Sequence, residues 1–130
     1  MTAASTKKAA SRSSEAIFSG LWQSERGSRM DLTVTGNTVQ GRFVTAVGAP
    51  RRDQAFNLTG FVNGDLISFS VDFEQYRTLT AWTGQHAPDG KGDVALRTNY
   101  LTVLDLDEDY EADLQWGNAR TGTDVFRRVT

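Results

Sequence analysis

The chain has 130 residues, the size of one domain, and its 14 Lys and Arg against 16 Asp and Glu give a net charge of -2. This balance argues against nucleic acid or an anionic membrane as the partner. The chain has no Cys and one His, which excludes a thiolate nucleophile, a disulfide framework and a Cys or two-His metal site. We expect no metal, no cofactor and no membrane span, because no apolar run approaches about 18 residues.

Residues 1–15 are small, polar and slightly basic. We interpret them as a disordered tail that remains once a leader has been removed, and we place the folded domain at 16–130. We therefore expect a secreted protein, although no apolar stretch typical of a signal segment is visible near the N-terminus.

Beyond residue 16, apolar and polar residues alternate with a period of two, which is typical of strands with one buried face. Met30, Leu32 and Val34 show the alternation, and Asn63-Gly64 is a strong hairpin signal. About eight strands are predicted, at 18–24, 30–34, 39–47, 56–61, 66–73, 76–85, 94–104 and 123–129. Short turns join them, and one short helical turn is predicted between Asp105 and Trp116. This pattern favours an antiparallel up-and-down barrel or a sandwich.

One face of these strands mixes aromatic rings with hydroxyl groups. The pairs are Phe43 with Thr45, Tyr76 with Thr78, and Thr80 with Trp82. Aromatic rings with a few fixed hydrogen-bonding groups are what a small-ligand cavity needs. The alternative is a filled barrel whose threonines are satisfied within the sheet.

Several segments in a fixed order resemble the avidin and streptavidin family of biotin-binding proteins. They are Gly20-Leu21-Trp22, Gly27-Ser28, residues 41–48 (Gly-Arg-Phe-Val-Thr-Ala-Val-Gly), residues 81–85 (Ala-Trp-Thr-Gly-Gln), and Trp116 eight residues before Asp124. The resemblance runs from about Phe18 to Val129. It implies an all-β, eight-stranded antiparallel barrel that binds biotin in its open end without catalysis. It also implies a homotetramer, with a dimer as the alternative.

The resemblance carries ligand roles to particular positions. It implies that Ser24, Ser28 and Phe43 face the ureido oxygen, that Thr45 and Asp124 accept from the ureido nitrogens, and that Thr80 lies near the sulfur. Phe73, Trp82 and Tyr100 match the aromatic box, and Trp116 matches a ring from a neighbouring subunit. Ala49 and Thr78 match the positions that hold the carboxylate, and Val47 lies in the same motif.

Two of the three positions that face the ureido oxygen depart from the family pattern. Phe43 has no hydroxyl group, and Ser24 is shorter than the Asn of the family, so the site loses donors to the ureido oxygen. We expect weaker biotin binding, and Phe43→Tyr should restore a donor. The alternatives are a barrel re-tuned for another small ligand and a scaffold that has lost the site. Ser24, Ser28, Thr45 and Asp124 are predicted to converge at the closed end of the barrel.

Three further features have weaker functional interpretations. The acidic run 105–113 suggests calcium, but Tyr110 and Trp116 stand where a calcium loop needs Gly and Glu, so a solvated loop is preferred. His86 is predicted to be exposed and without a partner. Arg51 and Arg52 either meet an anionic ligand tail or lie in a solvated loop. No nucleophile–base pair is visible, so we expect no enzyme.

Overall fold

The protein is described here by a computed structural model, which covers residues 13–46, 54–88, 90, 92–105 and 119–129. Helix α1 spans Ser14–Phe18, and a 3₁₀ turn spans Glu74–Tyr76. The strands are β1 Gly20–Ser24, β2 Arg29–Thr35, β3 Thr38–Val44, β4 Phe56–Asn63, β5 Leu66–Asp72, β6 Thr78–Pro88, β7 Val94–Leu104 and β8 Ala119–Arg128. No helix among the described residues has the length and apolar character needed to cross a bilayer.

The eight strands form a closed antiparallel barrel in chain order. Each strand pairs with the next, and β8 closes the barrel on β1 through pairs such as Trp22 with Arg128. Closure removes free sheet edges, so every strand is paired on both sides. The predicted fold is confirmed, and the sandwich alternative is excluded.

Binary patterning explains which side chains fill the barrel. In β2 and β5, buried and exposed residues alternate along the whole strand, because successive side chains point to opposite faces. The inward residues form one core that includes Met30, Leu32, Phe69 and Phe126. The hairpin predicted at Asn63-Gly64 is present, since Asn63 pairs with Leu66.

Helix α1 covers one end of this barrel. Ser13 caps it by accepting a hydrogen bond from the Ala16 N–H at 3.3 Å, and Ile17 and Phe18 are buried. The Ser14 hydroxyl donates to the carbonyl of Gly64 in the β4–β5 turn at 2.8 Å, which fixes the helix to that end. We call this the sealed end.

Helix α1 corrects two predictions from the sequence. A strand was expected to begin at Phe18, but Phe18 ends the helix and β1 begins at Gly20. A helix forms here instead of a strand because Ser13 caps it and because it buries two apolar side chains. The predicted tail is also too long at its end, since Ser14 and Glu15 are helical. A disordered tail over residues 1–12, which lie outside the described part, stays a prediction.

Further differences concern strand ends and His86. Strand β8 begins at Ala119 rather than at residue 123, and Tyr76 lies in the 3₁₀ turn rather than in a strand.

The prediction of an exposed His86 without a partner is wrong. Its half-buried ring meets Phe18 and Trp22 edge-on at 6.0 and 6.2 Å, because α1 is folded over the sealed end. The helical turn predicted before Trp116 falls in 106–118, outside the described residues.

Candidate functional site

A cavity of about 330 Å³ opens at the barrel end opposite α1. The described connections at this end are the β1–β2 turn and the 3₁₀ segment between β5 and β6. The lining combines aromatic rings, hydroxyl groups and one pair of opposite charges: Arg26, Ser28, Phe43, Thr45, Phe73, Tyr76, Thr78, Thr80, Trp82, Tyr100, Thr102, Leu104 and Asp124. The size lies at the lower end of the range for small-molecule pockets, roughly 300–1,000 Å³.

The structure brings most of the predicted site residues together around this cavity. Those that line it are Ser28, Phe43, Thr45, Phe73, Thr78, Thr80, Trp82, Tyr100 and Asp124. Ser24 is buried next to the site without lining it. Val47, Ala49 and Trp116 lie outside the described residues, as do Arg51, Arg52 and residues 106–113 of the acidic run.

Two serines shape the β1–β2 turn at the cavity. The Ser24 hydroxyl accepts the Ser28 N–H at 3.1 Å, and the Ser28 hydroxyl accepts the Ala46 N–H at 3.0 Å. These bonds tie the turn to the end of β3. Ser24, Ser28 and Thr45 were expected at the closed end of the barrel. They lie at the end opposite α1, because the helix seals the other end.

Phe43, Phe73 and Trp82 form the aromatic wall of the cavity, and contacts between rings hold it in place. The Trp82 indole stacks on Phe69 with centroids 5.1 Å apart and planes 17° apart. Phe43 lies 4.9 Å from Trp82, and Phe73 meets Phe43 edge-on at 6.0 Å. Such pairs restrict ring movement, so the wall is formed before any ligand arrives.

Arg26 lines the cavity, and the sequence reasoning missed it. Its Nη2 donates to Asp124 Oδ1 at 3.0 Å and to the Tyr100 hydroxyl at 3.3 Å. Its guanidinium carbon lies 5.8 Å from the centre of the Tyr100 ring. No sequence signal pointed here, because Arg26 belongs to a turn and contacts a residue 98 positions away.

The two charged residues of the cavity differ in exposure. The Arg26 side chain is 50% exposed, whereas that of Asp124 is 14% exposed. The hydrogen bonds to Tyr100 and Asp124 raise the pKa of Arg26 above its ordinary value. Because the pKa of Arg26 is raised in the folded state, its charge stabilises the fold at any pH below the unfolded-state pKa. This stabilisation is lost only as the pH rises through the folded-state pKa. Arg26 is therefore a permanent cation at any pH near neutrality.

Both carboxylate oxygens of Asp124 are occupied. Oδ1 accepts from Arg26, and Oδ2 accepts the Trp82 Nε1–H at 2.9 Å. The indole bond also fixes the direction of the Trp82 ring. Asp124, also expected at the closed end, lines the cavity beside the β1–β2 turn, and it already has two protein donors.

Hydroxyl groups line the other side of the cavity, and the sequence reasoning also missed one of them, Thr102, and the neighbouring Leu104. Thr102 and Thr80 face each other across the β6–β7 pair, with their oxygens 2.8 Å apart. The signal was available, since Thr102 and Leu104 share the inward face of β7 with Tyr100 at a period of two. Thr78 donates to the Tyr76 carbonyl at 2.8 Å.

Family comparison agrees with this architecture. The model of the Avidin family matches residues 12–129, nearly the whole chain. The chain belongs to the avidin family. No curated protein sequence matches this avidin-family chain.

Solved structures of other avidin-like proteins superpose on it. The biotin binding protein from chicken is 25% identical, with a TM-score of 0.75 and coverage of 91% of this chain and 100% of the other. Xenavidin is 22% identical, with a TM-score of 0.74 and coverage of 88% and 99%. A structure titled AVR2 is 22% identical, with a TM-score of 0.77 and coverage of 91% and 99%. The two at 22% identity show the shared fold alone.

This avidin-family barrel therefore combines an aromatic wall with a charged polar corner. Trp82, Thr80 and Asp124 line the cavity. Phe43 presents a ring without a hydroxyl group, and Arg26 places a cation beside Asp124.

Proposed function

We propose that this protein binds a small ligand of the biotin type in its barrel cavity and performs no catalysis. One observation carries the proposal: the described positions implied by the family resemblance, all but Ser24, line a single preformed cavity. Rings on one side and a few fixed polar groups on the other are suited to a ligand with an apolar body and a polar head.

Biotin is the first candidate, with reduced affinity. Phe43 offers no donor to a ureido oxygen, and each neutral hydrogen bond contributes about 0.5–1.5 kcal/mol net. Because about 1.4 kcal/mol is tenfold in affinity, losing one or two donors weakens binding by about twofold to a hundredfold. A ligand other than biotin remains the second candidate, favoured by the Arg26–Asp124 pair.

Calorimetric titration with biotin tests the proposal directly, and a thermal shift in excess biotin supports it independently. A ligand that binds only the native state must raise the melting temperature by mass action. No heat of binding and no shift at millimolar biotin would exclude biotin as the ligand.

Phe43→Tyr sharpens the test, because the added hydroxyl is directed into a cavity that has lost a donor. We expect biotin to bind several-fold to tenfold tighter, equivalent to about one hydrogen bond. Phe61→Tyr is the matched control, since Phe61 is 65% exposed and lies outside the cavity. Equal affinities for the two variants would show that the implied ureido position is wrong.

We further propose a homotetramer, with a dimer as the alternative. The outer face of β6 and β7 carries exposed apolar side chains that form an outer apolar patch: Leu79, Ala81, Leu101 and Val103. Leu79 is 59% exposed and pairs with Val103, while Ala81 pairs with Leu101. An apolar patch of this kind on a soluble protein is typical of an interface.

Sedimentation at micromolar concentration tests the assembly. We expect Leu101→Lys to dissociate it, because a charge would be buried without a partner. Phe61→Lys is the control, as it removes an exposed apolar ring from a different strand. A wild-type monomer would refute the oligomer.

Two further predictions stay open. One is that Trp116 completes the site of a neighbouring subunit. The other is secretion, which fractionation of producing cells would test.

A further inference from the structure

The hydrogen atoms of the cavity's polar groups are unevenly distributed. At the Arg26 side, the Ser28 hydroxyl accepts the Ala46 N–H, and the Tyr100 hydroxyl accepts from Arg26. A hydroxyl that accepts still has its own hydrogen to donate. Arg26 is itself a donor without any acceptor atom. This side of the cavity, formed by Arg26, Ser28 and Tyr100, is called the donor pole.

Two hydroxyl groups on the opposite side have already used their hydrogens. The Thr78 hydroxyl donates to the Tyr76 carbonyl at 2.8 Å, and the Tyr76 hydroxyl donates to Gln54 Oε1 at 3.2 Å. A carbonyl oxygen only accepts, so the direction of both bonds is fixed. Thr80 and Thr102, which bond to each other, keep one hydrogen between them. A ligand thus meets acceptors at Thr78 and Tyr76, and donors at the donor pole.

Asp124 does not cancel the donor pole. Its two oxygens each accept one hydrogen bond, from Arg26 and from Trp82, so each is already directed at a protein donor. Both hydrogen bonds of Arg26 come from Nη2, whereas a guanidinium has five N–H groups in a planar fork. The Arg26 side chain is half exposed, so its remaining N–H groups can be reached by a second anion.

We propose that the donor pole binds the carboxylate of a ring-bearing monocarboxylic acid, with Arg26 as the residue that determines this specificity. The ring of the acid lies against Phe43, Phe73 and Trp82, and the carboxylate accepts from Arg26 and the Tyr100 and Ser28 hydroxyls. The inference rests on the proposed function, because the ligand occupies the same cavity. It differs in the orientation of the ligand, since the acidic group lies beside Asp124 rather than at Thr78.

The test compares two probes of equal shape, cyclohexanecarboxylate and cyclohexanecarboxamide, by NMR titration of the full chain. Binding is followed at the Trp82 indole N–H, which lies in the cavity wall and reports on Asp124. We expect the carboxylate to bind about fivefold to tenfold tighter than the amide, because its hydrogen bonds are charge-assisted. Raising the salt concentration from about 50 mM to about 500 mM should weaken the binding of the carboxylate probe and leave that of the amide unchanged.

Two variants assign the effect to Arg26. Arg26→Gln keeps hydrogen-bond donors but removes the charge, and it should bring the ratio of the two affinities to about one. Arg29→Gln removes the same charge from the exposed face of β2, outside the cavity, and should leave the ratio unchanged. A ratio that persists in Arg26→Gln would overturn the assignment.

The outcomes also separate this inference from the biotin proposal. The carboxylate site would be overturned if the wild type bound the two probes with equal affinity, or if neither probe shifted the Trp82 signal. This holds whether or not the protein binds biotin. Binding of biotin alongside equal probe affinities would leave the proposed function standing without the inference. Selective carboxylate binding without any biotin binding would support the inference and reject biotin as the ligand.

Discussion

The two ends of the barrel each place an arginine against an aromatic ring, with different consequences. At the sealed end, the Arg128 guanidinium lies 4.5 Å from the centre of the Trp22 ring and donates to the carbonyls of Ser19 and Ile17. At the cavity end, Arg26 lies 5.8 Å from the centre of the Tyr100 ring and donates to side chains.

The difference lies in the partners. Carbonyls near the end of α1 have no intrahelical donor, so Arg128 satisfies groups that would otherwise need water. Its ring partner, Trp22, is almost completely buried. Arg26 instead binds groups that line a cavity, where a ligand competes with the same donors and acceptors. We therefore expect the sealed end to contribute mainly to stability and the cavity end, under the proposed function, mainly to ligand recognition.

The largest expected effect is at the sealed end, with Phe18→Ala. Phe18, the last residue of α1, is 0% exposed and packs in the core. Loss of the ring should reduce the free energy of unfolding by about 3–5 kcal/mol, measured by urea denaturation. Phe73→Ala, whose ring borders the cavity, should cost less than about 3 kcal/mol. Equal costs would contradict the contrast between the two ends.

Arg128→Leu should have the next largest effect. It removes two hydrogen bonds from a charged donor to the carbonyls of Ser19 and Ile17. We expect the free energy of unfolding to fall by about 1–2 kcal/mol, with ligand affinity unchanged. Hydrogen exchange should show faster opening of α1 than of β7. A change in affinity without a loss of stability would assign Arg128 to the site instead.

Gly122→Ala tests the support of Tyr100. Tyr100 pairs with Gly122 across β7 and β8, and an added Cβ would lie 2.5 Å from the Tyr100 hydroxyl oxygen. The ring must move, because real Cβ atoms do not approach so closely. We expect a stability loss of about 1 kcal/mol and a shift of the Tyr100 NMR signals. Unchanged signals would mean that Tyr100 does not lie over this glycine in solution.

Arg26→Leu should have the smallest effect on stability. A half-exposed ion pair typically contributes about 0–1 kcal/mol, and the substitution keeps apolar contact with Tyr100. Urea denaturation should therefore give a free energy of unfolding within about 1 kcal/mol of the wild type. A loss as large as that for Arg128→Leu would show that both arginines are structural.

The sequence predicted elements with continuous alternation best. Strand β7 spans Val94–Leu104 as expected, and in β6 Thr80 and Trp82 face inward while Leu79 faces outward. Elements without alternation were missed or shortened. Helix α1 has only five residues, too short for helical periodicity to show. The part of β8 before residue 123 was missed because its outward and inward residues are similarly polar.

The sequence by itself determined the strand pattern and the aromatic wall of the cavity. A period of two assigns each residue to a face, and the inward face of successive strands collects the rings and hydroxyl groups. These are local properties of each strand's own sequence. They place Phe43, Phe73 and Trp82 inside without any knowledge of their neighbours.

Only the tertiary structure decided how the polar groups are paired. Arg26 meets Asp124 across 98 positions, and Arg128 meets Ile17 across 111, because β8 closes on β1. Such pairs depend on the register of closure and on side-chain reach, neither of which a strand's own pattern encodes. Closure therefore determined that Asp124 has Arg26 as a partner and that the cavity has a donor pole.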